Sequence, residues 1–275
     1  MSNYERITSP QNSRLKNVIR LRQRRGRERQ QRILIDGLRE IDRAIRAGVE
    51  LHELFVAETF WDSEAGSLLE TVSTQTQVLL LPEQLLGRIG YGERNEGLVA
   101  VATAPSRTLE QLDLPALPLI AVLEGVEKPG NVGAVVRSAD AAGLDAVVVV
   151  DGVTDLFNPN AIRASLGTLF SMPVCATSSQ ELIAWLEHSK LRVVVARVDG
   201  AELYDECEYR GGTAIVLGSE ANGVSQRWKA EDFKGIKLPM EGVADSLNVS
   251  ATAAVIFYEA KRQRRLTVSR GSVVE

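Results

Sequence analysis

The stretch LIAVLEGVEKPGNVGAVVRSADAAGLDAVVVVDG (residues 119–152) decides the fold class, because it contains a complete strand–helix–strand unit. Its two apolar runs, 119–126 and 146–152, are predicted as strands, and residues 131–142 between them as a helix. Near-continuous apolar strands that alternate with helices are typical of a parallel sheet covered on both faces. The stretch therefore predicts an α/β fold whose functional site lies beyond the carboxyl ends of the strands.

The same alternation continues toward the end of the chain. Further strands are predicted at 191–198, 213–220 and 235–240, and further helices near 158–170, 179–188, 225–230 and 247–263. We expect these elements to form one domain, residues 119–265, followed by a flexible tail at 266–275.

A smaller α/β unit is predicted before this domain, in residues 1–104. Its strands are predicted at 32–37, 53–58, 78–81 and 97–103, and its helices at 12–31, 38–48, 62–73 and 82–89. Three prolines and a weak hydrophobic period in residues 104–118 indicate a linker, which we place at 105–118.

Composition restricts the class of protein. The chain has 275 residues, of which 44% are hydrophobic and 25% charged, so a packed globular core is expected. No window approaches 18 uncharged apolar residues, and the N-terminus lacks the apolar region of a secretory signal. Two cysteines and two histidines offer neither a zinc site nor a disulfide framework. These features predict a cytoplasmic protein without a membrane span or a metal.

The distribution of charge points to a polyanionic partner. Residues 1–32 contain ten basic and two acidic side chains, although the whole chain has a net charge of −4. A basic arm on an acidic body favours a polyanion that binds at one end of the molecule. A charged helix that simply faces solvent is the alternative.

Two strand ends in the second half carry clusters of glycine and polar residues. After the strand at 119, Asn131 opens a helix that carries Arg137 on its second turn. After the strand at 213, Gly218 and Gly223 enclose Glu220. The first cluster matches neither a dinucleotide-binding glycine fingerprint nor a P-loop. Taken singly, the clusters are also compatible with a capped strand–helix turn and a glycine-rich turn.

A third cluster follows the strand at 235–240. Leu238 and Met240 end that strand, and Ser246, Leu247 and Asn248 stand where the last long helix begins. Helix capping alone would explain these polar side chains. Three such clusters at the carboxyl ends of one parallel sheet nevertheless favour a shared site.

Together the three clusters resemble a known set of motifs. Asn131-x-Gly133-x-x-x-Arg137, Gly218-x-Glu220-x-x-Gly223, and Leu238-Pro239-Met240-x-Gly242 followed by Ser246-Leu247-Asn248-Val249-Ser250 resemble the motifs of the SpoU (TrmH) family of RNA ribose 2′-O-methyltransferases, within the SPOUT superfamily. The resemblance covers residues 119 to about 264. Residues 1–104 are similar to the substrate-binding domain of such enzymes and to small RNA-binding ribosomal proteins, through ITSPQNSRLK (7–16), the Asp36–Gly37 junction and GERNEGLVAVA (92–102).

The resemblance implies S-adenosylmethionine as the methyl donor and a trefoil knot at the C-terminal end of the parallel sheet. It also implies an obligate homodimer in which the partner chain completes each site. Carried over to this sequence, Gly218, Leu238, Met240 and Leu247 would line the adenosine pocket.

The resemblance assigns Arg137 to the ribose 2′-hydroxyl. Because an arginine stays protonated, we interpret it as stabilising the developing alkoxide rather than acting as a base. Asn131 would position the ribose or Arg137, and Glu220 would orient Arg137 or a loop amide. Ser246 and Asn248 would fix the hydroxyl or the methionine end of the cofactor.

The candidate RNA contacts are basic side chains at two places. Arg14, Lys16, Arg24 and Arg25 belong to the N-terminal arm, and Arg163 lies in NPNAIRASLG (158–167). The resemblance implies that a basic residue of the dimer partner lies near the RNA, which makes Arg163 a candidate; an arginine on the helix surface is the alternative. The implied reaction is methylation of ribosomal RNA, with the large subunit favoured. A tRNA methyltransferase and a non-catalytic RNA-binding or assembly factor on the same fold are the alternatives. The missing glycine fingerprint disfavours a nucleotide-dependent oxidoreductase.

Overall fold

The computed structural model describes residues 4–60, 65–91, 96–152, 155–229 and 233–271. Contacts divide the chain into two compact units, one formed by Met1–Pro105 with Phe157–Ser171 and the other by Ser106–Leu156 with Met172–Glu275. Segment 157–171 thus groups with the first unit, although it was expected in the second domain. Its buried Ile162 and Phe170 side chains complete the apolar core of the first unit, which explains the difference.

The elements follow each other in a regular order. The strands are β1 (Glu5–Arg6), β2 (Arg32–Asp36), β3 (Leu51–Ala57), β4 (Gln77–Leu81), β5 (Leu98–Thr103), β6 (Leu119–Glu124), β7 (Ala146–Val150), β8 (Val174–Thr177), β9 (Arg192–Ala196), β10 (Glu202–Leu203), β11 (Thr213–Leu217) and β12 (Lys234–Lys237). The helices are α1 (Ser13–Arg20), α2 (Arg24–Gln30), α3 (Leu38–Arg46), α4 (Ala65–Thr71), α5 (Glu83–Ile89), α6 (Pro129–Ala142), α7 (Pro159–Ala164), α8 (Thr168–Ser171), α9 (Ser179–Ser189) and α10 (Val249–Gly271), with 3₁₀ turns at Leu109–Gln111 and Gln226–Lys229.

The first unit is built on a five-stranded sheet with the order β1-β4-β3-β5-β2. β5 runs antiparallel to β2 and β3, whereas β4 runs parallel to β1 and β3. Strand β1 escapes sequence analysis because its two residues are exposed and too few to show alternation. The other four strands lie where the sequence predicts them, within two residues at each end.

The helix predicted at 12–31 is two helices, α1 and α2, joined at residues 21–23. A Cβ atom at Gly26 would collide with the carbonyl oxygen of Arg20, so only glycine lets α2 fold back against the end of α1. The buried Arg27 side chain holds the corner by donating a hydrogen bond of 2.7 Å to the Leu21 carbonyl. The helix predicted at 158–170 is also divided, because Leu166 and Gly167 both adopt positive φ between α7 and α8.

The second unit is a seven-stranded, all-parallel sheet with the order β10-β12-β9-β11-β6-β7-β8. Its central strands β6, β7 and β11 are buried along their whole length, as expected for a sheet covered on both faces. Strands β8 and β10 were not predicted, because β8 has only four residues and β10 only two. Helix α6 begins at Pro129, ends before Gly143 at φ 72°, and packs against α10.

Helix α10 is longer than the sequence analysis expects, since it continues to Gly271 through part of the segment predicted as a flexible tail. The Arg264 guanidinium anchors the helix just before this extension. It donates hydrogen bonds of 2.6–3.0 Å to the carbonyl oxygens of Leu117, Pro118, Tyr209 and Gly211. Residues 272–275 lie outside the described residues.

None of the helices in the described part of the chain has the length and apolar character that a membrane crossing requires.

Candidate functional site

A cavity of about 450 Å³ opens in the second unit beyond the carboxyl ends of β9, β11 and β12. The chain segments that follow these strands line it, together with residues that lead into α10. This is the edge of a parallel sheet at which ligand sites are found in α/β folds, and the volume lies within the roughly 300–1,000 Å³ typical of small-molecule sites.

Four residues predicted to hold the cofactor line this cavity: Gly218, Leu238, Met240 and Leu247. Leu247 is 42% exposed, so it offers an apolar surface to a ligand. A Cβ at Gly218 would collide with the backbone of Gly223, and only glycine permits this approach.

The loop after β11 is a tight hairpin. Ser219 and Gly223 exchange two backbone hydrogen bonds, with N–O distances of 3.1 and 2.9 Å, and Gly223 has a φ of 62°. Glu220 therefore sits at the tip of a loop that the backbone closes at its neck. The sequence predicted this glycine-rich turn, and the structure shows why both glycines are needed.

The three motifs meet in a set of hydrogen-bonded side chains, Asn131, Glu220 and Asn248, which we call the polar triad. The Asn131 amide nitrogen donates to the Glu220 carboxylate, and the Asn248 amide nitrogen donates to the Asn131 side-chain oxygen at 3.5 Å. Asn131 is thus held from both sides, by residues far away in the sequence. Glu220 also lines the cavity, which places the polar triad at its edge.

Asn248 has two roles at the start of α10. Its side-chain oxygen accepts hydrogen bonds from the Ser250 N–H at 2.9 Å and the Ser250 hydroxyl at 2.6 Å, and its carbonyl accepts from the Thr252 N–H at 2.9 Å. This is the geometry of a helix N-cap. Because the amide nitrogen remains available for Asn131, capping and the site use different atoms of one side chain. Ser246, two residues earlier, lines the cavity.

Arg137 is not brought to the cavity of its own chain. It lies on the exposed side of α6, six residues and therefore about 9 Å along the helix from Asn131. Its guanidinium forms no hydrogen bond or ion pair with any residue that the structure describes. A direct role of Arg137 at the reacting hydroxyl was predicted from the sequence, and at this position its guanidinium is accessible to another molecule.

Some of the basic residues predicted to contact RNA are paired with acidic residues of the first unit, and others are exposed. Arg14 lies 3.3 Å from Glu53 and 3.6 Å from Glu5, so its charge is paired within the fold. Arg24 pairs with Glu28 at 2.7 Å across one helical turn. Lys16 and Arg25, in contrast, are exposed.

The Arg163 guanidinium also has a structural role, since it donates to the Tyr91 carbonyl within the first unit. It faces Asp36, a buried carboxyl that accepts the Tyr91 N–H at 2.6 Å. Burial raises the pKa of Asp36 to about 6; the Tyr91 hydrogen bond and the positive Arg163 oppose this, whereas Glu96 and Glu40 add to it. This titratable group was not predicted from the sequence, in which Asp36 stands directly before Gly37.

Arg197 is a cavity residue that the sequence analysis missed. It follows β9, and a Cβ at Gly235 would lie 2.6 Å from its Nε. That buried nitrogen is 3.4 Å from the Asp199 carboxylate but forms no hydrogen bond with the described residues. The rule that placed sites at strand ends would have selected it, had it been applied to β9.

Comparison with known families identifies the chain. The model of the SpoU rRNA Methylase family matches residues 118–258, and the model of the MRM3-like substrate binding domain matches residues 12–100. The chain belongs to the SpoU rRNA Methylase family. The predicted family, α/β fold and N-terminal substrate-binding domain are therefore confirmed.

Individual relatives agree with this assignment. The 23S rRNA (uridine(2479)-2′-O)-methyltransferase of Streptomyces viridochromogenes is 31% identical over 251 residues, which are 88% of this chain and 86% of the relative. The crystal structure of an RNA 2′-O ribose methyltransferase is 41% identical, with a TM-score of 0.83 over 94% of this chain and 99% of that one. The SpoU methyltransferase AviRb from S. viridochromogenes, in complex with AdoMet, is 29% identical, with a TM-score of 0.86 over 93% and 99% of the two chains.

This SpoU-family chain is thus an rRNA 2′-O-methyltransferase that uses S-adenosylmethionine, as the resemblance implied. The cavity fits that cofactor in its own right. Leu238, Met240 and Leu247 supply apolar surface for a flat adenine, and the buried Arg197 Nε is a donor without a hydrogen-bond acceptor among the described residues. Within the described ranges, no three His, Cys, Asp or Glu side chains are grouped closely enough to hold a metal ion.

Proposed function

We propose that this SpoU-family enzyme methylates one ribose 2′-hydroxyl of large-subunit ribosomal RNA, and that the 450 Å³ cavity holds the methyl donor. The polar triad is the observation that carries the proposal. It joins the three motifs at the edge of the cavity, where the donor and the acceptor ribose have to meet.

The cavity residues divide between binding and positioning. S-adenosylmethionine, when bound, supplies an electrophilic methyl group on a sulfonium sulfur. Leu238, Met240 and Leu247 would hold the adenine by apolar contact, and Gly218 lets the loop close against Gly223 at the edge of the cavity. Asn131, fixed between Glu220 and Asn248, and the nearby Ser246 orient the ribose by hydrogen bonds. A ribose hydroxyl is a weak nucleophile, so its orientation toward the methyl group is a large part of the catalysis.

Arg137 would stabilise the negative charge that develops on the 2′-oxygen while its guanidinium stays protonated, so the hydroxyl proton leaves to an RNA phosphate or water and S-adenosylhomocysteine is the leaving group. Because Arg137 lies outside the cavity of its own chain, we place it at the site of a second copy. The homodimer that this requires is supported by exposed side chains on α10, which packs against α6. Ala251, Val255 and Tyr258 recur at helical spacing on one exposed side of α10, and Val255 and Tyr258 are 37% and 50% exposed.

The first unit holds the RNA through the exposed cations of α1 and α2. Lys16 and Arg25 are the principal contacts, with Arg20 and Arg29 beside them on the exposed surface. Arg14, Arg24 and Arg163 have partners within the unit, so they stabilise its structure rather than contact the RNA. Phosphate contacts of this kind supply affinity without sequence specificity. A ribosomal RNA substrate in turn places the enzyme in the cytoplasm.

The experiment that tests the proposal is transfer of tritium from methyl-labelled S-adenosylmethionine. Unmodified large-subunit RNA, small-subunit RNA and bulk tRNA are offered separately, and the expected acceptor is the large-subunit RNA. A preference for tRNA would contradict the proposed substrate. Binding of the cofactor without transfer to any of the three RNAs would favour a non-catalytic RNA-binding factor.

A further inference from the structure

We propose that Glu124 is a positioning residue, which fixes the loop that carries Gly218 and Glu220 against the connection between β6 and α6. This inference rests on the proposed function, since it assigns that loop to the cofactor and acceptor sites. Glu124 is the last residue of β6 and is only 5% exposed. A buried carboxylate is strongly disfavoured unless hydrogen-bond donors surround it, so its partners show what it holds.

The main partner of Glu124 is Ser225, at the end of the loop that follows β11 and carries Gly218 and Glu220. The Glu124 Oε2 accepts the Ser225 N–H at 2.6 Å, and its Oε1 accepts the Ser225 hydroxyl at 2.7 Å. The Ser179 hydroxyl lies 3.3 Å from Oε1, but it is nearer to Asp151, at 2.5 Å. A hydroxyl has one proton to donate, so Ser179 serves Asp151 and leaves Ser225 as the main partner of Glu124.

The loop between β11 and the 3₁₀ turn at 226–229 is therefore attached to the β6–α6 connection at two points. At the inner point, the buried Glu124 side chain accepts two part-buried hydrogen bonds from Ser225. At the exposed point, Asn131 binds Glu220. Glu124 ends β6 and Asn131 lies in the first turn of α6, on either side of the β6–α6 connection, and residues 220 and 225 lie on one loop. Glu124 is only 5% exposed and receives two donors from Ser225, one of them a backbone N–H, whereas the Asn131–Glu220 bond lies at the surface, so the Glu124 attachment sets the position of the loop.

Loosening the Glu124–Ser225 attachment affects both cofactor binding and the position of the acceptor ribose. Gly218 lines the cofactor cavity, and Glu220 at the loop tip holds Asn131 in the polar triad. A loop that shifts as one body therefore weakens cofactor binding and also misplaces the acceptor ribose. If Glu124 were needed only for folding, its substitution would lower stability but leave the cofactor affinity of the folded protein unchanged.

The test compares Glu124→Gln, Ser225→Ala and Ser225→Thr with the wild-type full-length protein. The glutamine keeps one acceptor oxygen but turns an NH₂ group toward a Ser225 donor, and the alanine removes the hydroxyl bond. The dissociation constant for S-adenosylmethionine is measured by calorimetry, and kcat is measured at saturating cofactor. Both damaging variants should bind the cofactor about tenfold more weakly and keep a reduced kcat at saturation. Ser225→Thr, which retains the hydroxyl, should stay close to the wild type.

Glu40→Gln is the matched control, because Glu40 is a carboxylate of similar burial, 4% exposed, in the other unit. Its cofactor affinity should equal that of the wild type. Wild-type affinity and kcat in Glu124→Gln and Ser225→Ala would overturn the positioning role. If Glu124→Gln fails to fold, the contrast between Ser225→Ala and Ser225→Thr decides. A wild-type protein that neither binds the cofactor nor methylates RNA would refute the proposed function instead.

Discussion

The side-chain amide of Asn131 donates a hydrogen bond to the carboxylate of Glu220, which lies 89 residues later in the chain. The same amide group accepts a hydrogen bond from Asn248, 117 residues away. One side chain thus joins the start of α6, the loop after β11 and the cap of α10. An amide fixed at both its oxygen and its nitrogen has a defined orientation before any ligand arrives, and this pre-organisation is what the proposed ribose site requires.

Substitutions of Asn248 distinguish its contribution to stability, as a helix cap, from its contribution to activity, as a partner of Asn131. Asn248→Ala should lower the free energy of unfolding by about 1 kcal/mol, as for a lost N-cap. Methyltransferase activity should fall further than that loss explains, because the hydrogen bond to Asn131 is removed as well. Thermal unfolding and single-turnover methyl transfer measure the two effects.

Asn248→Ser is the matched control for this prediction. Serine is a good N-cap residue but is too short to reach the Asn131 side chain, so this variant should be stable and still poorly active. Full activity in Asn248→Ser would show that only the cap matters.

Arg137→Lys should lower kcat by about 10²-fold or more, because lysine keeps the charge but loses the fixed fork of donors. Cofactor affinity should not change, since Arg137 is absent from the residues that line the cavity. Calorimetry and turnover at saturating RNA separate the two quantities. Near-normal turnover would contradict the geometric role of the guanidinium.

Mixing two inactive variants tests whether Arg137 acts on the partner chain. A heterodimer of Arg137→Ala and Asn248→Ala would contain one site with both groups intact if Arg137 reaches across the interface. Co-expression with two affinity tags should therefore restore activity to about half of the wild type in the purified heterodimer. No recovery would place Arg137 at the site of its own chain.

RNA binding should depend on the exposed cations rather than on the paired ones. The double variant Lys16→Ala/Arg25→Ala should bind RNA more weakly, and the slope of log affinity against log salt should fall by roughly 0.7 for each phosphate interaction removed on a single-stranded region. Arg14→Ala should mainly lower stability, because Arg14 pairs with Glu5 and Glu53. Filter binding between low and high salt, with thermal unfolding alongside, distinguishes the variants.

The buried Asp36 should make stability depend on pH in the acid range. Burial raises its pKa from the usual 3.8 to about 6, so the folded state binds the proton more tightly than the unfolded state. The contribution of Asp36 to the free energy of unfolding is therefore largest below about pH 4 and is lost progressively as the pH rises through 6.

Asp36→Asn removes this titration but still offers an oxygen to the Tyr91 N–H. The variant should be more stable than the wild type at pH 8, by at most about 3 kcal/mol, and should lose the decline between pH 4 and 6. The substitution also removes the attraction between the Asp36 carboxylate and Arg163, which reduces the gain in stability at pH 8. Urea unfolding across this pH range is the measurement, and an unchanged pH profile would contradict the assignment.

Much of the site was predictable because its residues stand at the ends of apolar strands. Gly218, Leu238, Met240 and Leu247 line one cavity, and Asn131, Glu220 and Asn248 touch, as their common place at the sheet edge suggested. Each of these residues follows a strand closely in the sequence, so the alternation of strands and helices is enough to put it at the carboxyl edge of the sheet.

Other features depend on contacts between distant residues, which local patterns do not contain. The division of 12–31 into α1 and α2 depends on the close approach of Gly26 to Arg20. The grouping of 157–171 with the first unit depends on the burial of Ile162 and Phe170 in its core. The pairing of Arg14 depends on Glu53, 39 residues away. The exposed position of Arg137 on α6 likewise could not be read from the sequence motif that contains it.

The central claim is methylation of a ribose 2′-hydroxyl in large-subunit RNA at the polar triad. Its most direct test is mass spectrometry of nucleosides from that RNA after incubation with S-adenosylmethionine and either the wild type or Asn131→Ala. We predict one new 2′-O-methylated nucleoside at near one equivalent per RNA with the wild type, and a severe loss of it with the variant. A methyl group on a base, or equal 2′-O-methylation by both proteins, would contradict this claim.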